Sequence, residues 1–240
     1  LLNHEFIDMT ARSVSGIIRN LTIASSCMIT SASDDNIAFI TNSLTGTVDN
    51  CHNYGNISLS LAEGTAERFI GSLVSNMSES GAKLSNCSND GDIEITTTLT
   101  STIGGYQHIG GLVGQVGGVC DEGVVRLQGC SNTGNVSVSV SGPSGTIKHH
   151  YVGGIVGSTA VNAGTETQTS GFTNYYGEFR ECSNEGNVTA TWTGGTGGYF
   201  KLGGILGYCE GAIFDSSNKG GISYKNTGAQ NAAPAVGGIA

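Results

Sequence analysis

Proline occurs only twice in 240 residues, tryptophan once, and charged side chains make up 12% of the chain. That is about half the usual charged share. The 10 basic residues, outnumbered by 19 acidic ones, form no cluster, so the electrostatic footprint of a nucleic-acid or anionic-membrane partner is missing. No stretch approaches the roughly 18 apolar residues of a transmembrane helix, and no Lys/Arg-led leader opens the chain at Leu1. A processed or truncated piece of a longer exported protein is expected, extracellular or cell-surface in location. Amphipathic helix patterns longer than two turns are absent. The glycine-rich calcium nonapeptide of some solenoids is also absent, and no glycine loop is followed by the Lys-Ser/Thr that phosphate binding needs.

What the chain has in excess is glycine, 39 of 240 residues, more than twice the usual share. A G-X-Y period would mean collagen, but the glycines follow a different pattern. One motif recurs as Cys51-His52-Asn53-Tyr54-Gly55-Asn56-Ile57, Cys87-Ser88-Asn89-Asp90-Gly91-Asp92-Ile93, Cys130-Ser131-Asn132-Thr133-Gly134-Asn135-Val136 and Cys182-Ser183-Asn184-Glu185-Gly186-Asn187-Val188. A fifth copy, from Ser216 to Ile222, has Ser in the Cys place. A second motif alternates with it: Ile70-Gly71-Ser72-Leu73-Val74, Ile109-Gly110-Gly111-Leu112-Val113, Val152-Gly153-Gly154-Ile155-Val156 and Leu202-Gly203-Gly204-Ile205-Leu206. A degenerate forerunner lies at Ile37-Ala38-Phe39-Ile40, and the chain stops inside one more copy at Val236-Gly237-Gly238-Ile239, so further coils are expected to follow.

After each Asn-x-Gly comes an alternating run such as Val136-Ser137-Val138-Ser139-Val140, which reads as a strand with one buried face. Another apolar residue sits three places before each motif Cys or Ser (Val48, Leu84, Leu127, Phe179, Ile213), giving three short strands per unit. Strands so short cannot each bury a face alone, but identical units stacked about 4.8 Å apart bury them together. The predicted fold is all-β: a parallel β-helix or β-solenoid of five to six coils, right-handed by precedent, with a β-prism or sandwich as the alternative. Residues 1-36 are expected to form an irregular N-terminal coil or cap and residues 37-240 the repeats, with ladders of Cys, of Asn and of Ile/Val along the axis.

The Gly-Gly-Leu-Val-Gly core at residues 110–114, followed by the Cys-Ser-Asn-x-Gly-Asn-Val segment at residues 130–136, resembles the GLUG-type repeats of bacterial surface and adhesin-like proteins. The resemblance spans roughly residues 37 to 240. It implies a secreted or surface-exposed solenoid and carries over no catalytic residue, since none is known within the repeat itself. Similar repeats also flank the catalytic domain of some secreted peptidases.

Seven cysteines in an exported chain would ordinarily suggest disulfides. In a stack, however, Cys51, Cys87, Cys130 and Cys182 form a single ladder with parallel Cβ vectors about 4.8 Å apart, outside disulfide range. Cys120 and Cys209 fall two coils apart, so free thiols are expected throughout. The sequons at Asn56, Asn135 and Asn187 arise automatically where a turn Asn precedes an alternating strand. His149 and His150 adjoin on a strand and point to opposite faces, so no metal site and no cofactor are expected. The acidic pairs Asp34-Asp35 and Asp121-Glu122 lack any nearby Arg-x-Lys or His-Gly element of a pectinase kind, and no catalysis is expected.

Spacing locates the variable corner. The interval from a motif Cys or Ser to the next first Gly is nearly constant (Cys51 to Gly71, Cys130 to Gly153, Ser216 to Gly237), whereas that from Gly to the next Cys or Ser varies widely (Gly153 to Cys182, Gly203 to Ser216). Insertions in solenoids gather on one face, often the binding face. The longest, about residues 158 to 177, carries Glu166, Phe172, Tyr175 and Tyr176, which either grip a ligand or fold back to cap the core. Tyr106 and Tyr199 recur before Gly-Gly motifs and are expected to pack, and Trp192 falls on an inward step from Val188. The function expected is a non-catalytic adhesion or binding module, or a stalk-like spacer; a polysaccharide-processing β-helix or the accessory region of a secreted peptidase is the alternative. Glycan, a host or cell-surface protein, and other domains of the parent chain are the candidate partners.

Overall fold

The structure is a computed structural model that describes residues 13–30, 36–62, 67–98, 105–142, 149–159, 175–194, 199–227 and 234–240. Among these residues the chain is all β, and its strands pair in parallel as a β-solenoid of stacked coils. One coil shows the plan: Lys83–Ser85, Ser88–Asn89, Ile93–Thr98, Gln107–Gly110 and Val113–Val116 follow in order. Each strand stacks on its counterparts in the coils above and below, giving five parallel sheets. In coil order we call them the lead-in, Asn, alternating, aromatic and return sheets. The first four have six strands each and the return sheet four.

Among the described residues each of the first four coils therefore has five strands, and each of the last two has four, where the sequence pattern predicts three. The Gly-Gly motif is divided between two of them, since Ile109-Gly110 closes one strand and Val113 opens the next. Ser-Asn forms a two-residue strand of its own. The stack also begins before residue 37. Ile17–Arg19, Thr22–Ile23 and Met28–Ile29 pair in register with the following coil, Ile23 lying opposite Asn53. This copy is hidden in the sequence because Leu21 takes the Cys place and Ile23 the Asn place.

The turn into each Asn strand explains the motif Cys. The residue just before it is Asn20, Asn50, Asn86, Gly129, Glu181 or Asp215, and each has φ between 50 and 62°. Asn, Asp and Gly tolerate this left-handed conformation, which costs other residues roughly 1–2 kcal/mol. The carbonyl two places before the Cys accepts the N–H of the turn residue of the preceding coil, and the thiol gives it a second donor: Cys51 to Asp49 at 3.4 Å, Cys87 to Ser85 at 3.0 Å, Cys130 to Gln128 at 3.5 Å and Cys182 to Arg180 at 3.4 Å. Ser216 keeps this bond, to Phe214 at 2.8 Å. It also accepts the Cys182 N–H at 3.0 Å, just as Cys87 Sγ accepts that of Cys51 at 3.4 Å. All seven cysteines are free thiols, and burial pushes Cys87 up to about 12, which keeps it protonated.

The apolar interior has two lobes. One gathers the Cys ladder, the lead-in residues Val48, Leu84, Leu127 and Phe179, and the return-sheet valines. The other fills the space between the alternating and aromatic sheets with Ile57, Ile93, Val136, Val188 and their partners Ile70, Ile109, Val152 and Leu202. Asn53, Asn89, Asn132, Asn184 and Asn218 mark the seam, because in each coil the Asn lies between the Cys of one lobe and the Ile or Val of the other. From Asn53 to Asn184, each Nδ2 donates to Oδ1 of the next Asn at 2.7 or 2.8 Å. Every one of the five also donates to the glycine carbonyl two residues on, at 2.7 to 3.0 Å. Across the seam stands the second Gly of Gly-Gly: a Cβ on Gly154 would overlap the Asn184 amide and the Gly204 carbonyl. The two repeated motifs are thus halves of one contact.

Candidate functional site

At the insertion corner, Glu166 and Phe172 lie outside the described residues. Tyr176 is turned inward and only 3% exposed, so of the two described tyrosines only half-buried Tyr175 reaches solvent. The backbone here serves a different group. Arg126 follows the corner on the lead-in strand Val125–Gln128 and is fully buried. Its Nε donates to the Ala82 carbonyl at 2.9 Å. Nη1 donates to Gly118 at 3.0 Å and Tyr176 at 3.3 Å, and Nη2 to Glu79 at 2.7 Å and Gly117 at 2.9 Å. One guanidinium thereby ties together corners of three successive coils. Gly177, at φ 108°, leaves room for it, since a Cβ there would overlap Arg126 Cγ. Desolvation lowers the Arg126 pKa. The corner as described is a structural clamp.

Side chains of another kind collect on the outer face of the aromatic sheet. Its strands Arg68–Gly71, Gln107–Gly110, His149–Gly153 and Tyr199–Gly203 turn Ile70, Ile109, Val152 and Leu202 inward. Period two then sends the residue before each outward, and the register aligns Phe69, His108, Tyr151 and Lys201 in one column. A second outward column, two residues earlier, includes Tyr106 and His149. The rings touch: Phe69 and His108 are 5.0 Å apart between centroids, His108 and Tyr151 5.0 Å, Tyr106 and His149 5.6 Å, and His149 and Tyr151 5.8 Å. Lys201 Nζ lies 5.4 Å from the Tyr151 ring and 4.5 Å from that of Tyr208, and the Tyr208 hydroxyl donates to Glu210 at 2.7 Å. Tyr151 and His108 are fully buried beneath the half-buried Tyr106, His149, Lys201 and Tyr208.

Two imidazoles sit inside this construction. His108 bonds Ser158 of the return strand Val156–Thr159 through Nδ1 at 2.6 Å, while its Nε2 has no hydrogen-bond partner. His150 points the other way, into the lobe, against Phe200 at 4.7 Å, and neither of its ring nitrogens has a partner. Burial, with a smaller contribution from a neighbouring histidine, lowers each pKa to about 3. His149 and His150 face opposite sides of the strand, as strand alternation predicts. Among the described residues no group of three or more His, Cys, Asp or Glu is placed to hold a metal ion.

From the sequence, Tyr106 is expected to pack, while Phe69, His108, Tyr151 and Lys201 pass unremarked. The signal is present: in four consecutive coils the residue immediately before the apolar residue of the glycine motif is a ring or a cation. Comparison of the chain with family models, with curated proteins and with solved structures finds no match. This face offers ring surfaces, imidazole and phenol tips, the Lys201 ammonium and the carboxylates of Glu67 and Glu210, distributed over successive coils.

Proposed function

We propose that the chain is a non-catalytic, surface-displayed solenoid that acts as an adhesion or binding module and engages a glycan on the outer face of its aromatic sheet. The observation that carries this reading is the concentration of Phe69, Tyr106, His149, Tyr151 and Tyr208 outside the apolar lobes, in a cluster of ring contacts completed by His108. Aromatic side chains supply large contact area at low entropic cost, and their polar tips bond hydroxyls. Coils recur about every 4.8 Å, comparable with the length of one sugar ring, so an extended oligosaccharide meets equivalent positions along the axis. The resemblance to GLUG-type repeats supports display outside the cell. As a stack of short parallel strands, the module also serves as a spacer for whatever domains adjoin it.

Incubating the purified chain with a panel of soluble polysaccharides tests both halves of the proposal. Retention of at least one polysaccharide on immobilised protein, with no change in its chain length, is expected. Depolymerisation would replace the binding module with an enzyme.

A further inference from the structure

We propose that the aromatic face is released by acid: protonation of His108 and His150, two imidazoles sealed in the aromatic sheet with unmet ring nitrogens, loosens that sheet while the lead-in and Asn sheets stay closed. The consequence for a ligand rests on the binding reading above; the loosening is a property of the sheet itself.

The surroundings of both rings favour the neutral form. His150 shares its inward column with Arg68, Gln107 and Phe200. Across the lobe stand Thr97, bonded to Gln107 at 3.2 Å, and Trp192 and Tyr224, which pack on Phe200. Arg68 is the charged member of that column, and it is a cation. His108 meets Ser158, Phe69, Tyr106 and Tyr151, with Lys201 beyond Tyr151 in the same column. The return strands Val74–Met77, Val113–Val116 and Val156–Thr159, which flank His108, contain no acidic residue. Glu67 stands beside Tyr106 in the outward column, and Glu94 points out of the alternating sheet. Neither carboxylate contributes to holding a proton on either ring.

Both rings have a folded pKa of about 3, against 6.5 for a free histidine. Between those values the open sheet binds more protons than the closed one, so the closed form is fully favoured above 6.5 and loses ground as pH falls toward 3. At about pH 5 the shift amounts to up to roughly thirtyfold in the opening equilibrium per ring. The Cys and Asn side chains of the ladders on the other side of the molecule do not titrate in this window. The histidine beside them, His52, has both ring nitrogens bonded, to Ser88 at 2.9 Å and Asn50 at 3.2 Å, unlike the two sealed rings, which have nitrogens unmet.

Hydrogen exchange on the intact chain at neutral pH and at about pH 5, corrected for intrinsic exchange rates, reads this directly. Protection in residues 107–110, 149–153 and 199–203 should fall by at least tenfold, while that in residues 83–85, 88–89, 125–128 and 131–132 should hold. His150→Phe, which matches Phe200 in the same column, should remove about half of the loss on a logarithmic scale. If that variant does not fold, an imidazole titration of the wild-type chain serves instead: both rings must stay neutral well below 6.5 while the sheet is protected. Unchanged protection, or titration near 6.5 without loss of protection, overturns the proposal whether or not a glycan binds. Loss of protection in a chain that retains no polysaccharide sustains the acid response and removes only the ligand reading.

Discussion

The alternating and aromatic sheets enclose the same apolar lobe, have six strands each and stack in the same register, yet their outer faces differ. Outward from the alternating sheet run Ser58, Glu94, Ser137, Thr189 and Ser223 in one column and Ser60, Thr96, Ser139, Thr191 and Lys225 in the next. Small hydroxyl residues predominate, and hydrogen bonds between them, such as Thr189 to Ser137 at 3.1 Å, are sparse. On the aromatic sheet the corresponding positions carry Phe69, His108, Tyr151 and Lys201. Both sheets carry an inward aliphatic ladder, and the aromatic sheet sets Arg68, Gln107, His150 and Phe200 in a second inward column. Stacking thus requires the aliphatic ladders but not the outward rings, since the alternating sheet stacks in the same register with mostly hydroxyl residues in their place.

Four substitutions or conditions sharpen this contrast. The largest effect should come from the seam that both sheets share. Asn132→Ala strands the Asn89 amide, the Asn184 carbonyl oxygen and the Gly134 carbonyl in a buried site, at about 1–3 kcal/mol for each group left unmet. Urea unfolding should show a loss of at least about 3 kcal/mol, with hydrogen exchange rising in both sheets together. Second is Tyr151→Ala, which empties a fully buried ring site on the aromatic face and should cost about 3 kcal/mol in the same titration. Next is acid: between pH 6.5 and 5, stability should drop by up to about 2 kcal/mol for each buried imidazole, and His150→Phe should remove its share. The smallest effect is expected on the alternating face, where Ser137→Ala should stay within about 0.5 kcal/mol of wild type. A Ser137 substitution as costly as that at Tyr151 would abolish the distinction between the faces.

Much of the fold is legible in the sequence because a solenoid repeats its constraints. Cys, Asn and glycine recur wherever the turn, the seam and the close approach of Asn184 to Gly154 require them, and Trp192 is buried as its step from Val188 predicts. Where a substitution is compensated locally, the pattern disappears. Leu21 and Ile23 hide the first coil, and Asn, Gly, Glu and Asp share the left-handed turn position before the Cys, so no single letter marks it. Insertion length points to residues 158 to 177, but it reports loop size rather than chemistry. At that corner Tyr176 is covered, and the buried Arg126 looks like any surface arginine in the sequence, because its five acceptors are backbone carbonyls brought in by folding. The aromatic face is equally obscure, being a column of single residues drawn from four coils and visible only once register is known. The sequon residues Asn56, Asn135 and Asn187 have a structural role: their side-chain oxygens accept N–H groups of the next coil at 2.8 to 3.1 Å.

The half-buried rings at the surface of the aromatic sheet, Tyr106 and His149, are on this reading placed for a ligand, while Tyr151 beneath them serves stability. The most direct test is glycan-array binding by the wild-type chain beside a variant that gives this face the character of the alternating sheet, Tyr106→Thr with His149→Thr. Binding of one or more glycans by the wild type and loss of at least tenfold in the variant, with the melting temperature little changed, is the predicted result. Identical profiles for the two proteins, or no glycan bound by either, would contradict it.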